Sequence, residues 1–225
     1  MNSKIIIPII LLIFLVSGCQ TKTEQSAKPG EGTVTYNVSY PDSAKYGMKA
    51  SLFPHEMNLF FKDDKATFVA AAGMGTVQIV NILDNSKNTY TSLLIDAIRQ
   101  NYACKLSPEE IKENENNPKF EFEFIDETKL IAGLECKKVL IKDITSKTTS
   151  EAFYYPEIKF YYMNSPFKDF GYLFMEYSHT INNLTMKLVA THVDLKTPVD
   201  TTFFDVHGDF LWISQKNFYN YLNQL

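Results

Sequence analysis

The residue with the clearest covalent chemistry is Cys19, because Val16, Ser17 and Gly18 lead directly into it. Lys4 gives the chain a positive start, and Ile5–Val16 then runs for twelve residues without a charge. This order is that of a bacterial lipoprotein signal, in which the cysteine thiol receives a diacylglycerol and becomes the new N-terminus. The sequence therefore predicts a signal peptide over residues 1–18 and lipid attachment at Cys19.

Two other interpretations of this segment are an uncleaved anchor and ordinary secretion. A bilayer span needs about 20 apolar residues, whereas a run of twelve matches the apolar region of a signal peptide, about 7–15 residues long. An ordinary secretory signal ends more often in an Ala-x-Ala-like site, where this chain has Gly18-Cys19. A mature lipoprotein cysteine carries two or three acyl chains, and two suffice for stable anchoring.

The remaining cysteines, Cys104 and Cys136, fit two alternatives. An exported protein folds in an oxidising compartment, where an even number of cysteines favours a disulfide. Such a bridge would contribute about 2–4 kcal/mol. The other alternative is a pair of buried, unreactive thiols.

Catalytic patterns are absent from the sequence. His55, His179, His192 and His207 are scattered, and the close pair His192 and Asp194 is typical of a strand surface rather than of a metal site. There is no Gly-x-Ser-x-Gly elbow, and the glycines at 73 and 75 lack the lysine and hydroxyl of a phosphate-binding loop. We therefore expect no enzyme activity and no catalytic, metal or cofactor site.

Two triplets resemble an O-glycosylation pattern of some Gram-negative exported proteins. They are Asp42-Ser43-Ala44 and Asp200-Thr201-Thr202. Three-residue patterns also recur by chance, so chance occurrence stays open as the alternative.

Composition limits the classes of function. Removing residues 1–18 leaves 207 of the 225 residues, and the formal charge of −4 becomes −5 with the loss of Lys4. Arg99 is the only arginine, which argues against a nucleic-acid binder. The 17 Phe and 13 Tyr favour strands and could also line an apolar pocket.

The pattern along the chain predicts one β-rich domain behind a polar tether. We place the lipidated cysteine and tether at 19–32 and the domain at 33–225. Short alternating segments bounded by turn residues predict a large antiparallel sheet, with strands at 33–40, 57–61, 66–71, 76–83, 89–94, 120–124, 136–144, 151–155, 171–177 and 184–193. Residues 181–184 are predicted to form a hairpin tip. Helices are predicted near 107–114, from a capping box, and over 214–225.

One segment resembles uncharacterised bacterial lipoproteins. Those proteins carry a Lys-Ile-x-Gly-x-x-Cys-Lys-Lys-like run followed by an aromatic strand, as in Lys129–Lys138 and Tyr154–Ile158 here. Phe170–Glu176 resembles the segment that names the GLPGLI family, with Phe170 in place of its proline. The chain is thus similar to a sister family of GLPGLI proteins.

The resemblance implies a fold similar to that of the lipoprotein carrier LolA, an open half-barrel with two or three helices on its concave side. That face would bury an acyl chain or another hydrophobic ligand, lined by Val34, Tyr36, Val38, Phe120, Phe122 and Phe124. The alternatives are that these side chains simply pack in the core, and that the scaffold is a protein-interaction module. Gln20 in place of the aspartate that retains some lipoproteins in the inner membrane predicts the periplasmic face of the outer membrane.

Overall fold

The protein, a computed structural model, is described for residues 30–116, 118–181 and 184–222. In these ranges the chain forms twelve strands: β1 Glu31–Ser39, β2 Glu56–Lys62, β3 Lys65–Ala72, β4 Val77–Asp84, β5 Thr89–Asp96, β6 Tyr102–Lys105, β7 Phe120–Ile131, β8 Leu134–Asp143, β9 Thr148–Lys159, β10 Tyr172–Ile181, β11 Leu184–Asp194 and β12 Leu211–Trp212. The helices are α1 Pro108–Asn116 and α2 Gln215–Leu222, with 3-10 helices at Ser43–Leu52, Gly73–Gly75 and Thr201–Phe204.

All twelve strands join in one open sheet, in the order β12-β6-β5-β4-β3-β2-β1-β11-β10-β9-β8-β7. Among the described residues every neighbouring pair is antiparallel except β12 and β6, which run parallel. Connections between consecutive strands are mostly hairpins, which is why sequence order and sheet order agree so closely. The prediction of a mainly β, open antiparallel sheet with helices packed on it is confirmed.

The half of the sheet from β7 to β11 curls strongly. Cα atoms of β7 and β11 come within 8 Å of each other although three strands lie between them in the sheet. An ion pair crosses the same gap, from Lys129 on β7 to Glu176 on β10. We call the concave space enclosed by this curl the interior.

The β2–β3 hairpin shows how local sequence sets the turns. Lys62 pairs with Lys65, so Asp63 and Asp64 alone make the turn, and Asp63 adopts a left-handed φ of 50°. Aspartate tolerates that conformation better than most residues. The hairpin predicted from this sequence is confirmed. Elsewhere in the sheet, β1 begins at Glu31, two residues before its predicted start at residue 33.

Pro156 interrupts the pairing of β9 with β10. Tyr172 pairs with Lys159 whereas the next residue, Leu173, pairs with Tyr155, so three residues of β9 bulge out of register. Proline has no N–H to donate to a ladder and is tolerated at such bulges.

Both predicted helices form. Ser107 and Glu110 make the predicted reciprocal cap of α1, with Glu110 N donating to Ser107 Oγ at 3.2 Å and Ser107 N to Glu110 Oε2 at 2.8 Å. The second helix begins at Gln215, and Phe218 is its buried residue. The predicted hairpin tip at 182–183 and the last predicted helical residues, 223–225, lie outside the described residues.

Strands β6 and β12 were not predicted from the sequence. Each is short, at four and two residues, and neither shows the alternation over 4–8 residues on which strand prediction depends. Their presence follows from tertiary pairing. Strand β6 pairs with β5, with Leu93 opposite Ala103 and Leu94 opposite Tyr102, and β12 pairs with β6, with Trp212 opposite Ala103.

Candidate functional site

Three of the six residues predicted to line a cavity lie deep in the core. Val34, Tyr36 and Val38 alternate along β1 and are all buried. The Tyr36 hydroxyl donates to the backbone carbonyl of Phe174 at 2.8 Å, and burial raises the pKa of this phenol well above its usual value. These side chains face the interior, as expected.

The three phenylalanines of β7 face the same interior. Phe120 stacks on Phe167 with ring centroids 5.0 Å apart, and Phe122 packs on Phe170 at 5.0 Å. Phe124 lies further out and stays about half exposed. The alternation predicted for this strand is therefore confirmed in outline.

The interior is filled by the chain itself. Residues 160–170, which connect β9 to β10 and which we call the insert, place five large buried side chains there: Phe160, Tyr162, Met163, Phe167 and Phe170. Phe170 stacks on Phe174 with centroids 4.0 Å apart, and the Tyr162 hydroxyl accepts from Phe174 N at 2.7 Å. Tyr36 and the three phenylalanines of β7 thus contact aromatic residues of the insert and the sheet, and Val34 and Val38 are buried in the same core.

Helix α1 holds the insert in place. Asn114 Nδ2 donates to Asn164 Oδ1 at 2.8 Å, and Asn164 N donates to Glu115 Oε1 at 3.2 Å. Glu115 also forms an ion pair with Lys168 at 3.4 Å. The last turn of α1 therefore holds the insert through hydrogen bonds to Asn164 and an ion pair to Lys168.

Cys104 and Cys136 are both free and buried within the described chain, so the disulfide alternative is not what the structure shows. They lie on β6 and β8, second from opposite edges of the sheet, and have different neighbours, Tyr219 for Cys104 and Tyr36 for Cys136. Burial raises the pKa of each thiol to about 11. Thiols in this state are poor nucleophiles.

A cavity of about 460 Å³ opens at one end of the curled sheet, and we call it the end pocket. It lies where the start of β1, the β2–β3 and β4–β5 turns and the end of β9 meet. Its lining comprises Gly30, Phe61, Asp63, Asp64, Lys65, Ala66, Asn85, Glu157, Lys159, Phe160, Tyr161 and Gly171. None of the six residues predicted to line a cavity is among them.

The floor of the end pocket is apolar. Phe61, Ala66 and Phe160 are almost fully buried, and the two rings meet edge to face with centroids 6.2 Å apart. Gly171, with φ 79°, leaves open space where a side chain would be. A glycine suits this left-handed position and keeps the entrance wide.

The rim of the end pocket carries both signs of charge. Asp64 and Glu157 contribute carboxylates, and Lys65 contributes an ammonium group. Lys159 lies with its Nζ 3.4 Å from the centroid of the Tyr172 ring, a cation–π contact. A ligand with separated positive and negative groups would find a partner for each.

Asn85 adds an unsatisfied acceptor to the lining. Its Oδ1 is buried and has no hydrogen-bond partner within the described residues, although its backbone N donates to Asp64 O at 2.8 Å. Leaving a buried acceptor unpaired costs about 1–3 kcal/mol. A ligand O–H or N–H in the end pocket would satisfy it.

Sequence reasoning missed the end pocket. Its residues come from five separate places in the chain, and only their convergence makes a cavity. One local signal was available: Pro156, within the aromatic segment Tyr154–Ile158, indicates an edge strand or a bulge.

The titratable residues considered for chemistry remain apart. Within 30–116, 118–181 and 184–222, no three His, Cys, Asp or Glu side chains come together as a metal site would require. A hydrogen bond from the Thr197 side chain lowers the pKa of Asp194 to about 2, helped by bonds from the backbone N of Thr197 and Lys196 and by nearby His192. The pair His192 and Asp194 is thus a loop-capping arrangement.

Cys19 and the rest of residues 1–29 lie outside the described residues, so lipid attachment stays a prediction. In the part of the chain that the structure describes, no helix is long and apolar enough to cross a bilayer.

Comparison with known proteins gives a fold likeness and no family. No family model and no curated protein matches the chain. Two solved structures of PNGF-II, in different crystal forms, resemble it with TM-scores of 0.50 and 0.53 at 17% and 18% identity, over 84% and 87% of this chain. The chain spans about a third of their length, 32% and 34%. At this identity the likeness concerns the β-sheet fold alone.

Proposed function

We propose that this protein is a lipid-anchored protein of the cell envelope that binds an amphiphilic ligand in the end pocket. The observation that carries the ligand part is a cavity of about 460 Å³ with an apolar floor and a rim of mixed charge. Small-molecule sites have volumes of about 300–1,000 Å³ and combine apolar lining with a few polar groups. The end pocket fits both descriptions.

The interior does not serve as the ligand site in this proposal. The insert and the sheet aromatics occupy it with close ring contacts, such as Phe170 on Phe174 at 4.0 Å. Emptying it would expose several large buried aromatic side chains. The burial of each contributes about 1.5–3 kcal/mol. The end pocket requires no such rearrangement.

The chemistry of the end pocket favours a zwitterionic head with a short apolar portion. Phe61, Ala66 and Phe160 would bury hydrocarbon, and each buried methylene contributes about 0.8 kcal/mol. Carboxylates at Asp64 and Glu157 and an ammonium group at Lys65 would face the two head charges. Because the two carboxylates are exposed and Lys65 is only half-buried, these groups would set orientation more than affinity.

The position of the end pocket fits a membrane source for such a ligand. Gly30 lines the pocket and follows Cys19 by eleven residues. Eleven residues span at most about 36–40 Å when fully extended, at about 3.3–3.6 Å each. A lipid on Cys19 would therefore keep the end pocket within reach of the bilayer surface.

Calorimetric titration with dihexanoylphosphatidylcholine, below its micelle concentration, tests the ligand proposal. We expect saturable binding to residues 30–225, weakened about tenfold, or about 1.4 kcal/mol, when Lys65 and Lys159 are both changed to Glu. Lys49→Glu, at an exposed lysine in the first 3-10 helix, is the matched control and should leave binding unchanged. Absence of binding, or an equal effect of the control, would contradict the proposal.

The anchoring proposal has its own test. In the native host, Cys19→Ser should move the protein from the membrane to the soluble fraction while the domain stays folded. A variant that still sediments with membranes would show that the lipid is not the anchor.

One observation favours a second candidate, a protein-interaction module. Strand β7 is twelve residues long, pairs only with β8 among the described strands, and exposes Leu130 and Phe124. An open edge of this kind can accept an extended peptide as an added strand. A partner lost on Leu130→Lys with amphiphile binding unchanged would favour this candidate.

A further inference from the structure

Several turns in this protein begin with an aspartate, and in two of them the carboxylate accepts a hydrogen bond from a nearby serine hydroxyl. Ser86 Oγ donates to Asp84 Oδ1 at 2.6 Å, and Ser146 Oγ donates to Asp143 Oδ2 at 2.7 Å. A hydroxyl held in this way stabilises its own turn. It is poorly placed to react with anything else.

The hydroxyls of Thr201 and Ser43 differ from these, because within the described residues neither is bonded to an aspartate carboxylate. Each is the first residue of a 3-10 helix and directly follows an aspartate, and no other Asp-Ser or Asp-Thr pair occurs in the sequence. Asp200 accepts from Thr202 N at 2.9 Å, so its carboxylate is turned to the backbone. The Thr201 hydroxyl has no hydrogen-bond partner in the described ranges and is exposed.

The aspartate at the Ser43 site is also occupied, although Asp42 makes no side-chain cap bond to the backbone. The carboxylate of Asp42 pairs with Lys45 Nζ at 3.1 Å, which leaves the Ser43 hydroxyl without a partner within residues 30–116, 118–181 and 184–222. Ser43 is half-buried and Ala44, beside it, is exposed. In both triplets the aspartate is occupied and the following hydroxyl is free.

The turn that carries Thr201 is firmly attached to the sheet. Phe203 stacks on Phe60 with centroids 3.9 Å apart and planes 8° from parallel, and Thr67 Oγ1 donates to Phe203 O at 2.8 Å. Phe204 is buried. A bulky group on the exposed Thr201 hydroxyl would therefore point to solvent without disturbing the packing beneath it.

We infer that Thr201 and Ser43 are acceptors of O-linked glycans, which rests on the proposed export of the protein. The donor would be a glycan carried on a phosphorylated carrier, used by a glycosyltransferase of the host. The side-chain oxygen forms a bond to the anomeric carbon, the bond from that carbon to the carrier phosphate breaks, and the phosphate leaves with the electron pair. The hydroxyl proton passes to a base of the transferase.

Peptide mass spectrometry of the protein purified from its native envelope tests the inference. We expect sugar-mass additions on the peptides containing Thr201 and Ser43, abolished by Thr201→Val and by Ser43→Ala respectively. Thr201→Ser, which keeps a hydroxyl, should keep its glycan. Ser86→Ala and Ser146→Ala, at turns whose hydroxyls are occupied, are the matched controls and should leave both additions in place.

The same digest separates this inference from the anchoring proposal. If the N-terminal peptide carries an acylated Cys19 and both hydroxyl peptides have their unmodified masses, the glycan inference is overturned and the anchor stands. A full-length, unacylated and unmodified chain in the cytosol would overturn both.

Discussion

The interior and the end pocket share a wall and differ in how they are filled. Phe160 belongs to both, since its ring packs against Tyr162 in the interior, with centroids 4.6 Å apart, and forms part of the pocket floor. The insert places Tyr162, Phe167 and Phe170 in the interior, whereas it contributes only Phe160 and Tyr161 to the lining of the end pocket. On the other side, the bulged end of β9 borders the cavity, and the space beside Gly171 is open.

A curled aromatic sheet does not by itself make a ligand cavity. Whether the concave face stays open depends on the connection that crosses it, here the insert fixed by α1. The end pocket lies instead at the end of the sheet, where turns and strand ends together form its walls.

The largest expected effect comes from removing a ring of the filled interior. Phe174 is fully buried and contacts Phe170, Tyr162 and Tyr177. Truncation of a buried Phe costs about 3–5 kcal/mol, so Phe174→Ala should lower the free energy of unfolding by that amount in urea titrations. Tyr161→Ala, on the exposed rim of the end pocket, is the control and should cost about 1 kcal/mol or less. Equal losses at both sites would show that the interior is not the packed side.

A smaller effect is expected at the ion pairs of Glu176, which link β10 to β7 and to β11 in the curled half of the sheet. Glu176 is buried and pairs with Lys129 and with Lys187, the latter at 2.8 Å. Both lysine ends are about half exposed, which reduces the gain, so Glu176→Gln should cost about 1–2 kcal/mol. Glu123→Gln, whose carboxylate is exposed and pairs with Lys142, should cost about 0.5 kcal/mol.

The ion pairs of Glu176 should also make the free energy of unfolding depend on pH. Burial opposes the charge of Glu176, but the two lysines together lower the pKa of this carboxyl below its usual 4.5. A lowered folded-state pKa means that the contribution is complete above pH 4.5 and is lost as the pH falls through the folded value. Urea unfolding from pH 6 to pH 3 should show this loss in the wild type and a reduced loss in Glu176→Gln. Parallel curves for the two proteins would contradict the assignment.

Loosening the insert should cost still less and should open the interior. Asn114→Ala removes the hydrogen bond to Asn164, worth about 0.5–1.5 kcal/mol, without touching a core side chain. We expect increased binding of a hydrophobic dye and faster hydrogen exchange in the insert. Asn116→Ala, which loses only a bond within α1, should show neither change.

The smallest expected effect is that of a reducing agent. Because Cys104 and Cys136 are free thiols, dithiothreitol should leave the melting temperature unchanged, whereas breaking a disulfide would cost about 2–5 kcal/mol. Thiol-specific reagents should react with both residues in urea and only slowly in the native protein. A melting temperature that falls on reduction would restore the disulfide alternative.

The sequence predicted the sheet better than the site. Hairpins such as β2–β3 are local, with alternation and turn residues adjacent in the chain, so they could be predicted from short segments. The short strands β6 and β12 depend on distant partners. Val34, Tyr36 and Val38 show the same limit. Their inward direction follows from alternation, but the hydrogen bond of Tyr36 to Phe174, 138 residues later, does not.

In the proposed function, ligand enters the end pocket and not the interior. Chemical-shift mapping by NMR, with dihexanoylphosphatidylcholine added to the isotope-labelled domain, tests this most directly. We predict shifts at Gly30, Lys65 and Gly171, with the interior residues Val38 and Val139 unchanged. Shifts centred on Val38 and Val139, with the end pocket unaffected, would contradict the claim.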